Sequence, residues 1–179
     1  MQSIATLAAA TYRSPGDALS HDIRSGTLQA VADEVALAAG LLPPALPRPS
    51  LEEIQAAYVA LFVSNRNGLP APPYAGFALD GRLLGPTCDR ILREYARHGV
   101  DVSEGWPDLP DHLAAIGEAA ALLCPHKPAA ARRLLLDYLL PWLERFEAEV
   151  AAQDPTGLYS GITSLLKSAL QEVKREVVS

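Results

Sequence analysis

The residues of this chain best suited to chemistry crowd into one stretch, Trp106-Pro107-Asp108-Leu109-Pro110-Asp111-His112-Leu113. Asp111 and His112 set a carboxylate beside an imidazole, the pairing that general acid–base catalysis uses. Adjacent residues on a helix point about 100° apart, so the two side chains need not touch. The alternative is structural: the aspartate caps a helix and the histidine bonds backbone. A metal site could draw on His98, His112, His126 and Cys124, but no two of these have the i, i+4 spacing of a helical ligand pair. There is no glycine-rich phosphate loop, nucleophile elbow or Walker lysine. None of these patterns makes a convincing catalyst or metal site.

Proline fixes φ and turns the preceding residue away from helix, so Trp106 to Pro110 should form a stiff, non-helical connector. A helix is expected to start at Pro110 or Asp111, capped by Asp108 or Asp111, with His112 in its first turn. This would leave the Asp111–His112 pair close to solvent. Upstream, helices are expected over 3–12, 17–25 and 27–39. A fourth opens at Ser50, with Glu53 completing a capping box. Ile54, Ala57, Tyr58, Leu61 and Phe62 form its buried face, and Asn67-Gly68 ends it.

The stretch 42–49 holds four prolines and reads as a stiff connector, while 69–86 holds four prolines and three glycines and should contain no regular helix. A helix over 87–98 would bury Cys88, Ile91, Leu92 and Tyr95 and leave Arg90, Arg93 and Arg97 in solvent. Downstream, the helix that holds His112 in its first turn runs on to about 123, and others run from 129 to 153 with a kink at Pro141 and from 158 to 177. Gly117 costs about 1 kcal/mol against alanine and leaves room for close helix contact. Eight helices and no strand make an all-α, single-domain bundle (1–179), its two helical halves joined near 99–110 by a proline-rich hinge.

Composition agrees with helices. The 179 residues are 49% apolar and only 6% aromatic, and alanine and leucine dominate. A net charge of −6 argues against nucleic acid and anionic membrane surfaces as partners. The apolar run 4–10 lacks a preceding cation and is too short to span a bilayer, so no stable membrane insertion and a cytoplasmic location are expected. Cys88 and Cys124 read as buried thiols in a reducing compartment. Between Arg97 and Lys127 there is no lysine or arginine, whereas Asp101, Glu104, Asp108, Asp111 and Glu118 make a local negative field.

Several elements occur in an order that resembles a known family. They are Pro72-Pro73-Tyr74, Leu79-Asp80-Gly81-Arg82-Leu83-Leu84-Gly85-Pro86, Tyr95, Gly99, Leu109-Pro110-Asp111-His112-Leu113 and Glu118, with Trp142, Phe146 and Tyr159 further on. The sequence resembles the TorD/DmsD/NarJ family of molybdoenzyme maturation chaperones. Where many members carry Ser–Glu after the tyrosine, this chain has Ala75-Gly76. The resemblance implies an all-helical, cofactor-free chaperone. Its partner would be the apo catalytic subunit of a molybdenum or tungsten oxidoreductase of the dimethyl sulfoxide reductase type. It would hold that subunit by its N-terminal leader, a twin-arginine signal peptide or its remnant, while cofactor is inserted and export delayed.

On this reading Asp108, Asp111 and Glu118 would receive the arginines, since carboxylates bond guanidinium bidentately. Tyr74, Phe77, Trp106, Pro107 and Pro110 would line a groove for the apolar segment, and His112 would contact the leader or shape the site. Relatives that exchange halves make monomer or domain-swapped dimer the expected states. Two other classes fit the residues: a small helical enzyme using Asp111 and His112, and a structural assembly subunit of a redox complex.

Overall fold

The computed structural model describes residues 1–64 and 69–178. Among these residues ten α-helices follow one another: α1 (Gln2–Tyr12), α2 (Asp17–Ser25), α3 (Thr27–Ala38), α4 (Leu51–Tyr58), α5 (Ala75–Asp80), α6 (Pro86–His98), α7 (Leu113–Leu123), α8 (Pro128–Arg133), α9 (Leu140–Ala151) and α10 (Leu158–Val178). A π-helical turn, Val59–Val63, extends α4, and another, Leu134–Leu139, welds α8 to α9. Among the described residues there is no strand. The expected all-α class is what the chain adopts.

α7 is the hub because its sequence, LAAIGEAAALL, is apolar nearly all round, which suits a helix surrounded by others. Leu113, Ala114, Ile116, Gly117, Ala119, Ala120 and Leu123 are all buried. Its most extensive partner is α1, and the two backbones nearly touch at Gly117. A Cβ there would lie 2.8 Å from the Ala9 nitrogen and 3.0 Å from both the Ala5 carbonyl oxygen and the Ala8 Cβ. The room foreseen at Gly117 is used in full.

Against this pair packs an aromatic core. Tyr12, Phe62, Phe146 and Tyr159 sit with ring centroids 5.1–6.1 Å apart. Tyr12 has no exposed surface, and its hydroxyl shares a hydrogen bond with Thr163 of α10. The last turn of α1 is pinned by that contact.

Three local expectations need correction. The proline-rich stretch after α4 does hold a helix, the six-residue α5, because its prolines flank Ala75–Asp80 without entering it. In α6 the inward position expected for Leu92 belongs to Glu94; Leu92 is 40% exposed and Glu94 only 4%. Glu94 tolerates burial because Arg97 (2.5 Å), Arg133 (3.2 Å) and His98 (3.3 Å) surround its carboxylate. Cys124 is half-buried, whereas Cys88 is buried as expected.

The other helix ends follow their sequence signals. Ser50 and Glu53 form the capping box, with the Glu53 N–H donating to the Ser50 hydroxyl and Glu53 accepting from the Ser50 backbone. The end of that helix expected at Asn67-Gly68 lies outside the described residues. The disturbance expected at Pro141 takes the form of the π turn before it, where the Leu140 N–H reaches the Leu135 carbonyl. Proline at the start of α9 cannot donate to the preceding turn, and a wider turn accommodates that.

Candidate functional site

The connector before α7 is held by a two-bond bridge to the segment before α5. Tyr74 and His112 pair as an isolated antiparallel bridge: Ala75 N–H donates to the Asp111 carbonyl (3.0 Å), and Leu113 N–H donates to the Pro73 carbonyl (2.8 Å). The bridge follows a turn in which the His112 N–H reaches the Leu109 carbonyl (3.1 Å) and leaves His112 extended (φ −64°, ψ 142°), so the helix begins at Leu113. It neither starts at Pro110 or Asp111 nor takes an aspartate as its cap. His112 is the cap, its Nδ1 accepting the Ala114 N–H at 3.1 Å.

Asp111 is fully buried instead of lying close to solvent. Its Oδ2 accepts the Gly76 N–H at 2.8 Å, while its Oδ1 is buried without a hydrogen-bond partner. Burial dominates and holds the Asp111 carboxyl above the usual carboxylate range. Burial, with Asp111 next to it, likewise pushes the Cys88 thiol up to about 11, so this cysteine is a poor nucleophile. Here the Ala75-Gly76 pair gains a physical meaning. A Cβ on residue 76 would stand 2.7 Å from Asp111 Oδ2, so the close carboxylate requires glycine. Gly76→Ala is expected to cost about 1–2 kcal/mol of stability, read as a lower urea midpoint at unchanged slope.

The His112 ring lies elsewhere. It meets Tyr74 edge-to-face at a centroid distance of 5.2 Å, and its Nε2 is 3.8 Å from Asp108 Oδ2. That is beyond hydrogen-bonding distance, and Nε2 has no protein partner. Burial pushes the imidazole down to about 4, so His112 is neutral at pH 7, and the Nδ1 acceptor role places its proton on Nε2. Asp111 and His112 therefore face different partners and form no acid–base couple. Among the described residues no group of three or more His, Cys, Asp or Glu is placed to hold a metal ion.

Two adjoining hollows open beside this frame. The inner one, about 250 Å³, is lined by Tyr12, Tyr58, Trp106, Pro107, Asp108 and His112, among others. The outer one, about 370 Å³, is lined by Tyr95, Val100, Asp101, Trp106, Glu118 and Leu122 in part. Trp106 and Arg13 belong to both walls. Of the residues expected to form one site, Trp106, Pro107, Asp108, His112 and Glu118 do converge here.

Tyr74 stands behind His112, and the Pro110 carbonyl accepts the Tyr95 hydroxyl at 3.0 Å. Asp111 is buried within the frame. Phe77 does not join them; on α5 it borders a small hollow with Trp142 and Phe146 of α9. Nothing local in the sequence marks Tyr12, Arg13 and Tyr58 for this site, because they reach the hollows from 48 or more residues before Trp106. Arg13, which pairs with a residue 105 positions on, carries no local signal at all.

The fold and this frame define a class of all-helical proteins, and the comparisons agree. A crystal structure from Archaeoglobus fulgidus, described as that of a redox enzyme maturation protein, superposes with a TM-score of 0.65. It is 22% identical, with 96% of this chain and 94% of the other covered, and so establishes the fold. Residues 28–148 match the nitrate reductase delta subunit family, and the chain belongs to that family. The chaperone protein TorD of Shewanella pealeana is 28% identical over 129 residues. That match covers 66% of this chain and 58% of TorD, so the chain spans less than two thirds of that relative. Among the described residues no helix is long and apolar enough to cross a membrane.

Proposed function

We propose that this protein is a cytoplasmic, non-enzymatic chaperone for a molybdenum or tungsten oxidoreductase of the dimethyl sulfoxide reductase type. It binds the catalytic subunit in its apo form through the N-terminal leader, a twin-arginine signal peptide or its remnant, and holds it while cofactor is inserted. Family membership supports the client class. The observation that carries the leader-binding reading is the pair of hollows meeting at Trp106, with aromatic walls and with Asp101, Asp108 and Glu118 at their edges.

An amphipathic helix needs such a surface: an apolar trough for one face and acceptors for its cationic end. Three or four large side chains bury about 5–12 kcal/mol gross, and ordering the peptide offsets several of these. Affinity near micromolar follows, which suits a complex that must release its client. The buried Asp111 and His112 act here as the frame of the trough, so the exposed wall provides the cleaner test.

A peptide with two consecutive arginines before an apolar helical segment should bind the full-length protein in calorimetry. Trp106→Ala should weaken it at least about tenfold, in line with loss of a central aromatic anchor. The client's apo catalytic subunit should co-purify with the protein, and the cofactor-loaded subunit should not. Equal peptide affinity in the variant, or retention in the mature enzyme, would overturn the proposal.

A further inference from the structure

Arg13 occupies an unusual position. It follows directly on α1, as an extended residue (φ −66°, ψ 151°) whose predecessor, Tyr12, is anchored in the core. Its guanidinium carbon lies 5.1 Å from the centroid of a Trp106 ring, and its Nη2 lies 3.2 Å from Glu118 Oε2. The Arg13 and Glu118 side chains remain 55% and 42% exposed, so the pair is wet and weakly held. The stretch between Arg97 and Lys127 carries no cation of its own. The tertiary fold has brought one in from near the start of the sequence, to the wall where the two hollows meet.

We infer that Trp106 and Glu118 form a seat for a guanidinium group, which Arg13 fills in the free protein and surrenders to an arginine of the bound peptide. This rests on the leader-binding reading and describes how that same cleft is regulated. The seat has the two elements a guanidinium uses: an aromatic face for its flat surface and a carboxylate for its N–H fork. An ammonium group would use only the second. The side chain of Arg13 can swing away without disturbing α1, because the helix is held at Tyr12 and ends before Arg13.

A second observation concerns polar groups left unpaired beside the seat. His112, only 2% exposed, lines the inner hollow with its Nε2 unpartnered, and the Trp106 indole N–H also lacks a protein acceptor. Both nitrogens are themselves buried, so they are unpaired donors of the frame behind the seat and not contacts for the peptide. In the free protein Arg13 thus makes binding conditional: a segment without an arginine must enter beside an occupied seat, and a segment with one exchanges like for like.

The test measures affinity of the twin-arginine peptide for full-length wild type, Arg13→Gln and Glu118→Gln. Removing the internal competitor should tighten binding about three- to tenfold, and removing the carboxylate should loosen it by a smaller factor, because Arg13 loses its hold on the seat as well. A lysine-for-arginine version of the peptide should gain less from Arg13→Gln than the arginine version does. Binding that is equal in wild type and Arg13→Gln, or weaker in Arg13→Gln, overturns the seat and leaves leader binding standing. A peptide that binds neither protein removes both readings.

Discussion

Replacing Gly117 by valine is expected to destabilise the protein by about 3 kcal/mol, near the upper end for overpacking a close-packed interior. Alanine there should cost about 1–2 kcal/mol, although helix propensity alone would make it about 1 kcal/mol stabilising. Sterics decide the sign. The new Cβ meets backbone atoms of α1 at 2.8 and 3.0 Å, and backbone cannot rotate out of the way as a side chain can. Gly161 of α10 supplies the control, because a Cβ there meets only Leu46 Cδ2 at 3.5 Å, an ordinary contact. Urea unfolding should show Gly161→Ala neutral or stabilised and Gly117→Ala destabilised. If both alanine variants gain stability, the α1–α7 crossing is looser than described.

Acidification should unmask His112. Its folded-state value is depressed from 6.5 to about 4, chiefly by burial, against a smaller opposing pull from Asp108. For a base with a depressed value, the unfolded chain takes up the proton first. Stability is therefore complete above about pH 6.5 and falls as the pH drops toward 4, by about 2–3 kcal/mol at pH 4.5. Asp111 works in the opposite direction. Its raised value means that its contribution is present at low pH and is lost as pH rises through that value.

A single wild-type curve mixes the two, so the measurement is a comparison with His112→Asn. Asparagine keeps a side-chain acceptor for the Ala114 N–H and has no proton to bind in this range. Unfolding midpoints from pH 7.5 to 4.5 should fall more steeply for wild type than for the variant. Parallel curves would mean that His112 is already accessible to protons in the folded state.

These two predictions concern the frame, while the proposed peptide contacts lie on its rim. That division is physical. Asp111 and the Tyr74–His112 bridge fix where α5 and α7 begin, and so fix the angle at which Trp106 and Asp108 are presented. A frame residue can then be intolerant of change without touching a ligand. Trp106, Arg13 and Glu118 can vary in affinity without threatening the fold.

Much of the fold was legible in the chain itself because helix signals are local. Ser50 with Glu53, glycine after α6, and prolines at the first turns of α6 and α8 act over three or four residues, whatever surrounds them. The apolar character of α7 likewise announced a central helix, and the ordered residues from Pro72 to Glu118 announced the family. Three things were decided only by tertiary structure. Whether Asp111 is wet or buried depends on Gly76, 35 residues earlier. Whether Phe77 faces the cleft depends on how α5 docks against α9. That a cation enters the acidic cleft depends on α1 crossing α7 at Gly117, which carries Arg13 to Glu118 across 105 positions. Local pattern specifies which backbone turns form, but the partners of a charge are set by which turns pack together.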